Sequence, residues 1–184
     1  MNILIKRKLE LQIQNGLRLK VLLPSDVTSD YVAWMNDIAV TAYTEQSDFK
    51  HTRSSVLDFV KAKLASASEY LFGIWFNDLH IGNIKLGPIN FRHSRAEISY
   101  IIGRKEFWGQ GFATKAITRV VAFAFDDLLI EKLCAGVYSD NIGSCKALEK
   151  SGFQLEARRS RHIMLNGVRG ETKEYVLFRH SDLF

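Results

Sequence analysis

The sequence predicts a mixed α/β fold, a largely antiparallel sheet with one parallel step, and three observations lead there. An Asn15-Gly16 pair sits between the alternating runs LELQIQ and LRLKVLL, the strongest short hairpin signal a sequence offers. From Tyr70 the apolar period becomes two over three successive runs, which reads as a meander. An apolar helix then separates the last of these strands from the run KLCAGVYS, and a crossover of that kind makes neighbouring strands parallel.

The elements follow in order. The opening MNILIKRKLELQ has a short apolar run before Lys6, Arg7 and Lys8 and no small-residue cleavage site, so it is not read as a secretory signal. After the hairpin, Pro24-Ser25-Asp26 breaks the pattern, and SDYVAWMNDIAVTAY carries apolar residues at helical spacing behind a capping serine or aspartate. A second helix is expected from about Thr52 to Ser66, with Val56, Phe59, Val60 and Leu64 on one face. YLFGIWFN, the turn Asn77-Asp78, HIGNIKLGPIN and AEISYIIG supply the meander. The central helix starts within EFWGQGFATKAI (Glu106 to Ile117) and runs on through Val120, Val121 and Phe125. KLCAGVYS is a strand, and IGSCKALEKSGF is a short helix closed by Gly152. LEARRSRHIML, the turn Asn166-Gly167 and KEYVLFR form a closing hairpin.

With 184 residues and no low-complexity tract, residues 1–184 are expected to form one domain with its own core. The formal charge of +5 suits an anionic ligand. It is spread along the chain without interleaved aromatic residues, which argues against nucleic acid. Cys134 and Cys145 are too few and too distant for a disulfide framework or a zinc knuckle, so reduced thiols and no metal site are expected. The most apolar interior run, Val120 to Phe125, is too short to cross a bilayer. A soluble, cytoplasmic protein is the expectation.

Glycines and small residues where an apolar helix begins need a reason. A helix start leaves unpaired amides at the positive end of the backbone dipole, a seat for phosphate, and glycine lets a ligand touch bare backbone. A P-loop requires lysine and a hydroxyl directly after its last glycine, but Gly111 is followed by Phe112-Ala113. The dinucleotide pattern has Thr114 at its third small position and opens an N-terminal βαβ unit, whereas this stretch follows an antiparallel meander. A tight turn alone would need only one glycine.

ISYIIGRKEFWGQGFATKAI resembles the strand, loop and helix of the GCN5-related N-acetyltransferase (GNAT) superfamily, whose core pattern is Q/R-x-x-G-x-G/A. Gly111-Phe112-Ala113 matches its second half. Trp108 stands where glutamine or arginine is usual, as in the form YWGKGYATEA of the RimJ/RimL-like branch. NIGSCKALEKSGF is similar to that branch's N-x-x-S-x-x-x-x-E-K-x-G-F, and with the order of elements the resemblance extends from Leu17 to Arg179. It implies a GNAT-like fold with splayed central strands, acetyl-CoA as co-substrate, no metal, and transfer to a primary amine. The acceptors it implies are a protein N-terminus, a nucleotide-linked amino sugar or another small amine. WMND from Trp34 and the compact hairpin resemble the amino-sugar relatives. An acyl-CoA-binding regulatory module without turnover is the rival from another class.

The resemblance also implies site residues. Coenzyme A pyrophosphate would lie on the amides of Gly109, Gln110, Gly111, Phe112, Ala113 and Thr114. Main-chain groups near Ile101 to Gly103 would meet the thioester and pantetheine arm across a strand bulge, although Gly103 could simply end the strand. Glu97 shares a strand face with Ser99, Ile101 and Gly103, as a general base or as a solvated glutamate. Leu148 occupies the position where many members carry an acidic tyrosine, and cannot donate a proton. Ser144 matches the branch's serine, a partner for the thiolate or for a water, and Asn141 its asparagine, a contact for pantetheine or acceptor; both also fit ordinary helix capping. Arg104, Lys105, Lys115 and Arg119 could reach phosphates or form a solvated face. Arg158, Arg159, Arg161 and His162 could line an acceptor pocket or protect an edge strand. Trp34, Asn36 and Tyr43 could border the acceptor cleft or pack in the core.

Overall fold

The computed structural model describes residues 3–165 and 167–179. Its strands are β1 (Glu10–Gln14), β2 (Leu17–Val21), β3 (Tyr70–Phe76), β4 (Leu79–Asn90), β5 (Arg95–Ile102), β6 (Lys132–Tyr138), β7 (Gln154–Leu165) and β8 (Val168–Phe178). The helices are α1 (Ile3–Lys6), α2 (Ser29–Asn36), α3 (Ile38–Thr41), α4 (Arg53–Ala65), α5 (Phe112–Ala122) and α6 (Ile142–Lys150). The strands form one sheet in the order β1-β2-β3-β4-β5-β6-β8-β7, antiparallel except at β5–β6.

Local chemistry sets the connections. Asn15 and Gly16 (φ 48° and 77°), like Asn77 and Asp78 (φ 46° and 64°), take the paired positive φ values of a tight hairpin turn. Asn166, half of the expected closing turn, lies outside the described residues. Thr52 caps α4 by accepting from the Ser55 amide at 3.2 Å. The expected first helix breaks at Asp37, which adopts an extended conformation and caps α3 by accepting from the Ala39 amide at 2.9 Å. The central helix continues past Phe125 as its spacing predicts, but in π form over Phe123–Asp127. α1 carried no periodic signal. It is held by Lys6, whose Nζ donates to the carbonyls of Lys63, Ser66 and Glu69 at 2.8, 2.7 and 2.6 Å.

Strand alternation divides the sheet into two faces. Tyr70, Phe72, Ile74, Ile84, Leu86 and Ile98 pack against Ala116, Ile117 and Val120 of α5. Leu71 on the opposite face packs with Tyr31 and Trp34 of α2 and with Val56 and Val60 of α4. Burying each such large aliphatic side chain contributes about 1.5–3 kcal/mol. Phe59, expected on the buried face of α4, instead stands 44% exposed.

The parallel step is short. β5 pairs with β6 only from Arg95 to Glu97, opposite Lys132 to Cys134. Beyond that point β6 follows β8 as far as Tyr138 opposite Thr172, and β5 stays with β4 as far as Ile102 opposite Gly82. The two central strands therefore part, and their facing edges open a wedge.

Candidate active site

The wedge connects two cavities. One, of about 450 Å³, lies beside the start of α5 and is lined by Gly109, Gly111, Thr114, Asn141, Ser144 and Tyr100, among others. The other, of about 610 Å³, lies on the opposite face of the sheet between α2, α4 and the loop that joins α3 to α4. Thr44, Tyr100 and Ile101 line both, so the cavities meet at the end of β5.

The first cavity opens on the glycine-framed helix start that the sequence singled out. Gly109 and Gly111 adopt φ 73° and 79°, and a Cβ built on either would meet nothing within 4 Å. The first intrahelical bond of α5 runs from the Lys115 amide to the Gly111 carbonyl at 3.1 Å. The amides from Gly109 to Thr114 precede it and find no acceptor among the described residues. Phe112 turns its ring into the core against Phe76 and Phe107, leaving only its backbone at the loop. Ala113 and Thr114 line the cavity. The Gln110 side chain turns away and donates to the Glu106 carbonyl at 2.6 Å. This cradle of bare, unpaired amides fits a pyrophosphate.

Asn141 and Ser144 share the first turn of α6. The Ser144 amide donates to Asn141 Oδ1 at 3.1 Å, so Asn141 is a helix cap that also faces the cavity. Ser144 Oγ lies 2.6 Å from the Tyr100 hydroxyl, which also donates to the Ser144 carbonyl at 3.1 Å. Burial pushes the Tyr100 phenol up to about 12, with Ser144 lowering it somewhat. Leu148 is fully buried.

The end of β5 differs from the expectation. The amides of Gly103 and Arg104 both donate to the Ile81 carbonyl, at 2.9 and 3.1 Å, so the bulge there points toward β4. Ladder alternation turns the Ile101 amide the same way and leaves those of Tyr100 and Ile102 facing the wedge. Gly103 is accounted for by Trp34, whose indole lies 2.1 Å from where a Cβ would stand. Neither residue offers its amide to the gap, although the Ile101 side chain lines both cavities.

Glu97 is not brought to the wedge. It is exposed and still paired opposite Cys134, before the strands part, and lines neither cavity. Among the described residues the acidic group lining either cavity is Glu45, which the sequence reading passed over. Its Oε1 accepts from the Tyr138 hydroxyl at 2.6 Å, a bond that joins the α3–α4 loop to the end of β6. Burial and then the Glu45 carboxylate push the Tyr138 phenol up to about 12.

The other basic and aromatic candidates are largely structural. Arg104 pairs with Asp30 and with Glu106, Lys105 with Asp37, and Arg119 donates to the Gln12 carbonyl. The Lys115 ammonium lies over the Phe112 ring, 5.8 Å from its centroid. Arg158 and Arg159 pair with Glu171 and Glu174 along edge strand β7, and neither they nor Arg161 and His162 line the cavities. Trp34 is core, and Asn36 clamps the backbone of His51. Tyr43 lines the first cavity.

The overall fold is thus a sheet that parts beside a glycine-framed helix start. It superposes on a RimL ribosomal L7/L12 alpha-N-protein acetyltransferase in complex with coenzyme A, with TM-score 0.85 at 16% identity over 92% of this chain and 98% of that one. It also superposes on a Vibrio cholerae spermidine N-acetyltransferase in complex with CoA and spermine, with TM-score 0.80 at 22% identity over 90% and 97%. Residues 17–154 match the acetyltransferase (GNAT) domain model, and the chain belongs to that family. It is 31% identical to the uncharacterized N-acetyltransferase p20 of Bacillus licheniformis over 76% of this chain and 79% of that protein. It is 35% identical to the uncharacterized N-acetyltransferase YoaA of Bacillus subtilis (strain 168), where the match spans 54% of this chain and only 55% of the relative. Among the described residues no helix is long and apolar enough to cross a membrane, and no cluster of side chains could hold a metal ion.

Proposed function

We propose that the chain is a single-domain N-acetyltransferase that moves the acetyl group of acetyl-CoA directly to a primary amine. The observation that carries this reading is the meeting of an amide-lined anion seat and a second, acceptor-sized cavity at one parted strand end, with Tyr100 in both. Gly109 to Thr114 hold the pyrophosphate on their amides, and the amides of Tyr100 and Ile102 take the pantetheine arm and the thioester oxygen. The amine nitrogen bonds to the acetyl carbon as the carbon–sulfur bond breaks. The nitrogen that forms the amide gives up one proton to water, and the sulfur leaves as the thiolate, which takes up a proton from water afterwards.

Glu45, beside Thr44 at the junction, receives a proton from an acceptor that enters as its ammonium. The Tyr100–Ser144 pair serves the departing sulfur. A phenol held near 12 is a weaker acid than a thiol, whose ordinary value is about 8.5. Its part is to donate a hydrogen bond to the thiolate rather than to surrender its proton outright. Ser144 and the surrounding NIGSCKALEKSGF support placement in the RimJ/RimL-like branch, with a protein N-terminus or another small amine, including a nucleotide-linked amino sugar, as acceptor.

Release of free thiol from acetyl-CoA, followed with pools of short peptides, nucleotide-linked amino sugars and small amines, tests the reading. Amine-dependent release establishes the enzyme. Tight coenzyme A binding with no release from any pool would replace it with an acyl-CoA-binding module.

A further inference from the structure

The second cavity has a chemistry of its own. Its walls carry Met35, Phe49, Val56 and Phe59, and its floor Leu71 and Ile101. Phe49 and Phe59 are 64% and 44% exposed, large apolar surfaces that a bound group would cover. Charge is distributed unevenly around this apolar body. Glu45 is the carboxylate lining the cavity, while Lys50 and Lys85 bring two ammonium groups to it.

Strand register places these groups. Leu71, Lys85 and Ser99 form one cross-strand row of the floor, and Asn83 and Ile101 lie in the next row toward the wedge. Adjacent same-face rows are two residues, about 7 Å, apart. Lys85 therefore stands one row beyond the end where the amine reacts. Among the described residues its ion-pair partner is Glu69 at 3.4 Å, and Lys63 already holds that carboxylate at 2.8 Å. Two lysines thus share one carboxylate, and the group they form beside the cavity keeps net positive charge.

Resting on the acetyltransferase reading, we infer that the acceptor is a monoamine with an apolar body and an anionic group on the side of the amine that faces Lys85, at least one floor row away. A polyamine is a poor match, since its second and third ammonium groups would face Lys50 and Lys85 in place of carboxylates.

The test uses phenylalanylglycine, its C-terminal amide and spermidine. Each is titrated calorimetrically into the full chain saturated with coenzyme A, and each is assayed for thiol release from acetyl-CoA. Phenylalanylglycine is expected to bind about tenfold tighter than its amide, the worth of one charge-assisted contact, with spermidine weakest. Lys85→Met, which keeps the aliphatic stem, and separately Lys50→Gln, should shrink the ratio between peptide and amide; circular dichroism checks that each variant is folded. Equal binding of peptide and amide, a ratio untouched by both variants, or spermidine as the tightest ligand overturns the inference. The binding order without thiol release from any amine would overturn the acetyltransferase reading and leave the inference about the cavity standing. Release that is fastest with spermidine would do the reverse.

Discussion

At the residue scale Tyr100 links the two cavities, because it lines both while its hydroxyl touches Ser144. Tyr100→Phe is expected to lower kcat roughly tenfold to a hundredfold, the worth of one hydrogen bond to the departing thiolate, with little change in the KM for acetyl-CoA. Ser144→Ala should cost less, because the Tyr100 hydroxyl keeps the Ser144 carbonyl at 3.1 Å as a partner. Since burial pushes this phenol up to about 12, no loss of rate from its ionisation is expected as pH rises to 10, which a kcat–pH profile checks. A carboxylate pair gives a second test. Glu45→Gln should reduce kcat/KM at least tenfold, whereas Glu97→Gln should leave it within about twofold. A large loss at Glu97 would restore it as the base. The sequence led to Glu97 because alternation sets it on one face with Ser99 and Ile101. Tyr100, on the opposite face, was not singled out. It reaches the site only because β6 leaves β5 after Glu97, a long-range fact that no local pattern carries.

At the scale of elements, two glycines that look alike in sequence do different work. Gly103 is glycine because Trp34 occupies the space of its Cβ, and Gly111 because the loop needs φ 79° and an open approach to the helix start. Gly103→Ala should therefore destabilise the fold by about 1–3 kcal/mol through overpacking, read from urea midpoints. Gly111→Ala should cost about 1–2 kcal/mol in backbone strain and also raise the KM for acetyl-CoA, since the new methyl enters ligand space. Equal effects of the two on KM would show that both approach the cofactor. The helix start was legible because its glycines, small residues and missing side-chain cap form a local pattern. Asp37 was not recognised as a break between α2 and α3, although an aspartate followed by apolar residues is itself a capping signal. Phe59 fits helical spacing and was assigned to the core for that reason; periodicity does not distinguish a core from the wall of a cavity.

Across the whole molecule the sheet order follows from the hairpins and the crossover, but the tie between the chain's start and its centre does not. Glu69 collects it. Its carboxylate accepts from Lys63 at 2.8 Å and lies 3.4 Å from Lys85, while its backbone carbonyl accepts from Lys6 at 2.6 Å. Nothing in the sequence around Lys6 marks it as buried, since it opens a run of three basic residues with Arg7 and Lys8. Burial alone would raise the Glu69 carboxyl, but the Lys63 hydrogen bond and the charges of Lys63 and Lys85 hold it below its ordinary value. Its contribution to stability is thus fully present above pH about 4.3, the ordinary value for glutamate, and is lost as pH falls through the lower folded value. Lys6 has the opposite signature. Burial lowers it despite Glu69, so the unfolded chain holds that proton more tightly, and stability rises with pH from the lowered value toward about 10.4. Thermal unfolding from pH 3 to 10 separates the two. Relative to Glu69→Gln, the native protein should lose its advantage on the acid side; relative to Lys6→Met, it should gain on the alkaline side. Parallel curves for either variant would mean that the corresponding group sits in the same environment folded and unfolded, and that its part in joining α1, α4 and the sheet is not made.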